Sequence, residues 1–278
     1  MPLILDGKIV RDLKKTELAK QVETLRARGI VPTLAIVQVG DVPESNTYIA
    51  QKKKFGEEIG AVVRHIRIGA ERATSEIVDE IGALNTESSI HGIIVQLPLP
   101  ASVDRQAILD AVASAKDVDG LGAESVQRLK AGEKGFVPAT ARGVVSLLRH
   151  YGIAVAGKRV TMVGHSVLVG QPLTLILRSQ GAIVTVCDIE TKDLAAHTKA
   201  ADIVIVAVGQ RHLIGPNHLS SGQTVVDIGI NVGSDKKLFG DVDFEAVKGQ
   251  VAAISPVPGG VGPLTMSCLF ENLLDAIL

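Results

Sequence analysis

Tryptophan is absent from the 278 residues, and tyrosine and phenylalanine occur only twice and five times, yet 46% of the chain is hydrophobic. A core must therefore be assembled from Val, Ile, Leu and Ala, the composition of parallel strands buried on both faces. Cysteine is equally scarce. Cys187 and Cys268 stand far apart without CxxC spacing, which excludes a disulfide framework and a cysteine-rich zinc site and fits reduced thiols in the cytosol. Neither sign of charge prevails: 29 basic against 30 acidic side chains leave a net charge of -1, without the electrostatic footprint of a nucleic-acid or anionic-lipid binder. No run reaches the roughly 18 apolar residues of a membrane span. Asp6, Lys8 and Arg11 break up the N-terminus before an apolar run of signal-peptide length forms. The seven histidines never fall into HxxxH or HExxH spacing, so no metal site is expected. The expectation is a soluble cytoplasmic protein with no nucleic acid and no membrane as partner.

What is present is alternation. A chain of this length suggests about two domains, and strand-length apolar runs recur between longer amphipathic stretches, the βαβα pattern of a parallel sheet covered by helices. In the first half the runs are Thr33 to Val39, Val62 to Ile68 and His91 to Leu97, separated by helix-like segments over Arg11 to Arg28, Ser45 to Ile59 and Thr74 to Asn85. In the second half they are Arg159 to Val163, Ile183 to Cys187, Ile203 to Val208, Thr224 to Ile228 and Ala252 to Ile254. This predicts an α/β protein of two units, the second doubly wound. The polar, glycine-punctuated stretch Gly120 to Pro138 reads as the joint, with a boundary near Pro138. Beyond Pro256 the chain reads Pro-Val-Pro-Gly-Gly-Val-Gly-Pro, which interrupts regular structure, and then an apolar helical segment from Leu264 to Leu278.

A dinucleotide signal lies in the second half. Arg159 to Val163 runs into Gly164-His165-Ser166 and on to Gly170, a strand, a glycine turn and a helix start. Such a turn lets backbone N–H groups approach a pyrophosphate whose charge the helix N-terminus favours. The spacing GxSxxxG departs from GxGxxG. The next apolar run ends in Asp188, near the roughly 20-residue distance at which a Rossmann acid holds the adenine ribose; a tight turn with a solvated acid is the plainer alternative. Gly209 and Gly229 also follow apolar runs, as expected where a ligand lies across strand ends.

The first half carries a second constellation. Tyr48 and Lys52 are four apart and share a helical face. A lysine triplet such as Lys52-Lys53-Lys54 commonly makes a solvated face, but Lys52 and Lys53 diverge by about 100° on a helix, and desolvation turns a lysine into a proton carrier. Gln96 stands at the end of the run Gly92 to Val95, just before Leu97-Pro98-Leu99-Pro100. Asp119 precedes Gly120 and reads either as a turn acid or as a site acid.

The strings SNTYIAQKKKFGEEIG, GIIVQLPLP, KDVDG, VGHSVLVGQP, VVDIGIN, GDVDF and PVPGGVGPLT follow one another across nearly the whole chain. In these the sequence resembles the bifunctional methylenetetrahydrofolate dehydrogenase/cyclohydrolase family. The resemblance implies an N-terminal three-layer α/β folate-binding domain over residues 1–138, a Rossmann NAD(P)-binding domain over 139–262, a C-terminal helix over 263–278 that rejoins the first domain, and a folate cleft between the two. It implies oxidation of methylene-tetrahydrofolate by hydride transfer to a nicotinamide, then hydrolysis of the methenyl cation to 10-formyl-tetrahydrofolate. Lys52 becomes the central catalytic group, with Tyr48 and Gln96 tuning and positioning it and Asp119 holding the pterin. Tyr48, Gln96, Leu97, Asp119, Pro258, Gly259 and Gly260 are implied to line the folate, and Gly164, His165, Ser166, Asp188 and Ile230 the cofactor. Family members are commonly homodimers that use NADP.

Two departures stand out. Pro138-Ala139-Thr140-Ala141 replaces the usual Pro-Cys-Thr-Pro, and His165 and Asp188-Ile189 replace groups suited to a 2′-phosphate, so that NAD is admitted as well or instead. Competing readings are another two-domain NAD(P) dehydrogenase, of shikimate or amino-acid type, and a noncatalytic dinucleotide- or folate-binding protein.

Overall fold

The computed structural model describes residues 1–278, the side chain of Glu44 excepted. The chain opens with β1 (Leu3–Ile4), α1 (Gly7–Ala27), β2 (Thr33–Val39), α2 (Pro43–Ile59), β3 (Val62–Ile68), α3 (Thr74–Thr86), β4 (Gly92–Val95), α4 (Arg105–Asp110) and α5 (Ala123–Ala131). It continues with α6 (Ala139–His150), β5 (Arg159–Val163), α7 (Gly170–Ser179), β6 (Ile183–Cys187), α8 (Leu194–Lys199), β7 (Ile203–Val206) and β8 (Thr224–Asp227). The last elements are β9 (Asn231–Val232), β10 (Leu238–Phe239), α9 (Phe244–Val247), β11 (Ala253–Ile254) and α10 (Gly262–Asp275). They form two compact units, one of Leu13–Ala139 with Met266–Leu278, the other of Met1–Asp12 with Thr140–Thr265.

The first unit has a parallel sheet of order β3-β2-β4. Its central strand, Thr-Leu-Ala-Ile-Val-Gln-Val, is buried throughout, because alternate residues feed separate cores. Leu34 and Ile36 pack with Leu18, Val22, Phe55, Ile59 and Phe270, from α1, α2 and α10. Ala35, Val37 and Val39 pack with Ile77, Ile81 and Ile108, from α3 and α4. Three layers result, as expected. α2 starts with Pro43 in its first turn, where the missing N–H costs nothing, and stops at Gly60 in the left-handed region, φ 83°.

The stretch from Gly120 to Pro138 is not all loop. α5 occupies its middle, braced by an Arg128–Glu124 ion pair and closed by Gly132 at φ 69°. Of its residues only Ser125 is buried, so no apolar stripe marks it in the sequence.

The second unit is a six-stranded parallel sheet of order β1-β11-β8-β7-β5-β6. From β5 the chain passes to β6 on one side and then to β7 on the other, which puts a topological switch point between β5 and β7. The extreme N-terminus belongs here, whereas the expected boundary put it with the first domain. β1 pairs with β11 through Leu3↔Ala253 and Ile4↔Ile254, Leu5 is fully buried, and the Tyr151 hydroxyl accepts from Asp6 N and donates to Asp6 O. A two-residue strand has no periodicity, so this pairing is legible only in three dimensions. Cys187 and Cys268 are both buried and are not joined by a disulfide. Among the described residues no helix is long and apolar enough to cross a membrane.

Candidate active site

In the first unit the sheet and α2 bring together the side chains that the sequence places far apart. Gln96 continues the ladder just beyond β4, donating its N–H to Val37 O at 2.8 Å, so its side chain emerges at the carboxyl end of the strand. There Gln96 Oε1 accepts from Lys52 Nζ at 2.7 Å, while Gln96 Nε2 donates to Leu97 O at 2.8 Å. The second bond fixes which amide atom faces the lysine. Leu97–Pro98 is cis, and Leu97 O also accepts from Ser45 Oγ at 3.4 Å. Tyr48, half-exposed, stands one helical turn before Lys52 on α2.

Burial pulls the Lys52 ammonium below its ordinary range, and the facing Asp119 carboxylate opposes that pull. Asp119 itself is pushed up to about 6, by burial first, against the Lys52 charge and with help from Asp117. The turn role that Asp119 would otherwise fill is taken by Asp117. Asp117 is buried, and its Oδ1 and Oδ2 accept from the backbone N–H groups of Gly120 at 3.0 Å and Gly122 at 2.9 Å. Asp119 is thereby left to face Lys52. A lysine of lowered proton affinity, fixed by a carboxamide and opposed by a carboxyl titrating near neutrality, can hold or move a proton at Nζ.

A polar chain behind this group escaped the sequence reading. Gln38, buried in the middle of β2, donates from Nε2 to Asn46 Oδ1 at 3.0 Å and meets His65 Nε2 through Oε1 at 2.7 Å. Asn46 Nδ2 donates on to Asp41 at 2.6 Å. With both Gln38 amide atoms so assigned, His65 Nε2 must carry the proton. The chain ties the start of α2 to the sheet; its one visible signal is a lone glutamine inside the apolar run Thr33 to Val39.

In the second unit Gly164 follows β5 at φ 94°, and a Cβ there would meet Ala207 O at 2.2 Å. A Cβ on Gly170 would meet Gly164 O at 2.2 Å. Only glycine lets the turn close this tightly beside the end of β7. His165 and Ser166 are exposed on that turn. α7 begins after Val169, whose side chain makes no cap; Gln171 N and Leu173 N donate to Ser166 O and Val169 O at 3.0 Å each, and Pro172 has no N–H, so the preceding glycine turn is the part of this segment open to a ligand. Val167, Val208 and Ile230 expose 53%, 45% and 51% of their surface around these strand ends. A tight glycine turn flanked by exposed apolar side chains at the switch point fits a dinucleotide.

Asp188 lies at the end of β6, its Oδ1 accepting from Glu190 N at 3.0 Å and Thr191 Oγ1 at 3.1 Å. Pro258, Gly259 and Gly260 also belong to this second unit. Gly259 O accepts from Gly7 N at 2.8 Å, Gly260 N donates to Pro256 O at 2.7 Å, and Val257–Pro258 is cis. A Cβ on Gly7 would lie 1.7 Å from Gly260 O, so this loop and the start of α1 are built around each other. Among the described residues no group of three potential metal ligands occurs.

Residues 5–119 match the tetrahydrofolate dehydrogenase/cyclohydrolase catalytic domain, and residues 138–278 match the NAD(P)-binding domain of the same enzymes. The chain belongs to the tetrahydrofolate dehydrogenase/cyclohydrolase family. Within that family it is 43% identical over 274 residues to the bifunctional protein FolD of Halalkalibacterium halodurans, covering 99% of this chain and 98% of that one. The bifunctional FolD of Campylobacter jejuni shares 41% identity, with a TM-score of 0.98 over 99% of this chain and 98% of its own. The Trypanosoma brucei methylenetetrahydrofolate dehydrogenase-cyclohydrolase, solved with NADP cofactor and an inhibitor, shares 34% identity at a TM-score of 0.93, covering 99% and 97%. Family membership and the two-unit α/β architecture agree with the expectation from sequence.

Proposed function

We propose that the protein oxidises 5,10-methylenetetrahydrofolate to the 5,10-methenyl form and hydrolyses that cation to 10-formyltetrahydrofolate. The observation that carries the reading is the Lys52–Gln96 hydrogen bond with Asp119 facing it, in a chain of this family. Lys52, Tyr48, Gln96 and Asp119 are the catalytic set, and Leu97 lies against the folate with them. Pro258, Gly259 and Gly260 complete the folate contacts. Gly164, His165, Ser166, Asp188 and Ile230 hold the dinucleotide. Bound NAD(P) supplies the acceptor for the hydride lost by the methylene carbon.

The chain's own residues do the rest. Asp119, as carboxylate, accepts from pterin N–H donors and orients the ring. Tyr48 places its ring beside the one-carbon unit on the face of α2 that carries Lys52. In the hydrolytic half, water adds to the methenyl carbon and a C–N bond opens. Lys52 Nζ, aligned by Gln96, takes the proton that water loses and returns it to the departing nitrogen. The carbon is already cationic, so positioning and proton transfer suffice.

NADP is the dinucleotide expected of the family. Asp188 puts an acid at the end of β6, which repels a 2′-phosphate and suits a 2′-hydroxyl, so NAD serves as well. A cytoplasmic homodimer is the expected working form.

Lys52→Met removes the proton carrier and retains the bulk of the side chain. Its cyclohydrolase activity should be abolished while calorimetric affinity for the dinucleotide stays near that of the parent. Full hydrolysis by the variant would remove Lys52 from this role.

A further inference from the structure

The loops at the switch point of the second unit are tied by one carboxylate that the mechanism above does not use. Asp241 follows β10 and is fully buried. Its Oδ2 accepts from the backbone N–H of Val208 at 2.7 Å and of Gly209 at 2.9 Å, and its Oδ1 accepts from Asn231 Nδ2 at 2.9 Å. Val208 and Gly209 lie in the loop just beyond β7 at the switch point, and Asn231 adjoins the exposed Ile230. Asp241 is held in turn by Asp227 at the end of β8. Asp227 Oδ1 accepts from Asp241 N at 3.1 Å and Gly229 N at 3.0 Å, and its Oδ2 accepts from Val242 N at 2.9 Å.

Two glycines show how fully the local sequence is given over to this interlock. A Cβ on Gly229 would fall 2.1 Å from Asp241 Cγ, and one on Gly240 would fall 1.8 Å from Asp227 Oδ2. These six donors are all neutral. A buried charge answered only by neutral donors is a costly way to stabilise a fold, but charge-assisted bonds to three separate groups fix their relative positions closely. The segments so fixed are the ones at which an open α/β sheet takes its ligand.

We propose that Asp241 is a positioning residue for dinucleotide binding, holding the Val208–Gly209 loop and Asn231 in the arrangement that the dinucleotide meets at the switch point. The proposal rests on the reading of this unit as the dinucleotide site and names a residue that acts through others. It is tested on the full-length enzyme with Asp241→Asn and with Asn231→Ala, which removes one bond of the set and leaves the carboxylate in place. For Asp241→Asn the KM and calorimetric Kd for NADP should rise together by about tenfold or more, and for Asn231→Ala by about threefold, with kcat less affected. Hydrolysis of methenyltetrahydrofolate, which uses the Lys52 group, should stay within about twofold of the parent in both and so reports that the fold is intact. Parent-like affinity in both variants would overturn the proposal. So would a parallel loss of both activities and of thermal stability in both, which would mark a purely structural residue. A parent enzyme that hydrolyses the methenyl substrate but shows no calorimetric binding of NADP or NAD would instead refute the dinucleotide reading itself, and the proposal with it.

Discussion

Lys52 meets two opposing influences, burial and the facing Asp119 carboxylate, and burial is the larger. The same burial raises Asp119 to about 6, so the acid limb of the pH profile belongs to that carboxyl. In the role proposed for it, Asp119 takes a proton as pH falls through about 6 and would then no longer accept from the pterin. The kcat/KM for the folate substrate should then fall about tenfold per pH unit below that point and level off above it. Asp119→Asn should lower kcat/KM and flatten the acid limb, measured by steady-state kinetics across pH. A parent profile that stays flat well below 6 would contradict the assignment. Sequence pattern alone left Asp119 between turn acid and site acid, because Asp117 and Asp119 both precede glycine by a short step. Hydrogen bonding resolves them: Asp117 holds the turn and Asp119 faces the lysine.

A second residue-scale prediction concerns Asp188. Its carboxylate is pinned by Glu190 N and Thr191 Oγ1 at the end of β6, and Ile189 beside it is completely exposed. The ratio of kcat/KM for NADP over NAD should be modest, and Asp188→Ser should move it towards NADP by about tenfold. A strong NADP preference in the parent that the substitution leaves unchanged would remove Asp188 from cofactor selection.

Among the elements, α10 shows how a C-terminal segment supports a site distant in sequence. Phe270 is fully buried against Phe55, with ring centroids 5.2 Å apart. Asn272, also fully buried, donates to Val118 O and Val137 O, each at 2.8 Å. Val118 directly precedes Asp119. Asn272→Leu leaves the buried Val118 carbonyl and the partly buried Val137 carbonyl without this donor, a loss of about 1–3 kcal/mol at the buried one, so the thermal midpoint should drop by several degrees. An unchanged midpoint would show that α10 is not the brace described. The seven-residue strands β2 and β3 were legible to the residue: β2 is buried throughout, and β3, of which only Ile68 is buried, still reads as a strand-length run rich in β-branched residues. The paired two-residue strands β1, β9 and β10 were not, because their definition lies wholly in the partner strand. α5 was hidden for a related reason: it buries one serine and so carries no stripe.

For the molecule as a whole, near-neutral charge and an aliphatic core describe a class of protein and not a ligand. The site groups were more legible than the frame that holds them. Lys52 stands on a helix face and Gln96 at a strand end, where a polar residue is conspicuous, while Asp119 lies in a turn and is less so. The Gln38–His65–Asn46 chain and the Asp227–Asp241 interlock consist of contacts between residues whose sequence neighbours give no hint of pairing. The domain plan shows the same division. α/β alternation announced two units, while the placement of residues 1–12 with the second unit depends on β1 and on Tyr151.

The central claim is that one chain carries both half-reactions, and a single incubation tests it most directly. Purified protein is mixed with methylenetetrahydrofolate and either NADP or NAD, and reduced nicotinamide, methenyltetrahydrofolate and 10-formyltetrahydrofolate are followed together. The account predicts that reduced nicotinamide and 10-formyltetrahydrofolate accumulate in the parent, and that Lys52→Met yields no 10-formyl product from added methenyltetrahydrofolate beyond the uncatalysed rate. A parent that forms neither product with either dinucleotide, or a variant that hydrolyses the methenyl substrate at the parent's rate, would contradict it.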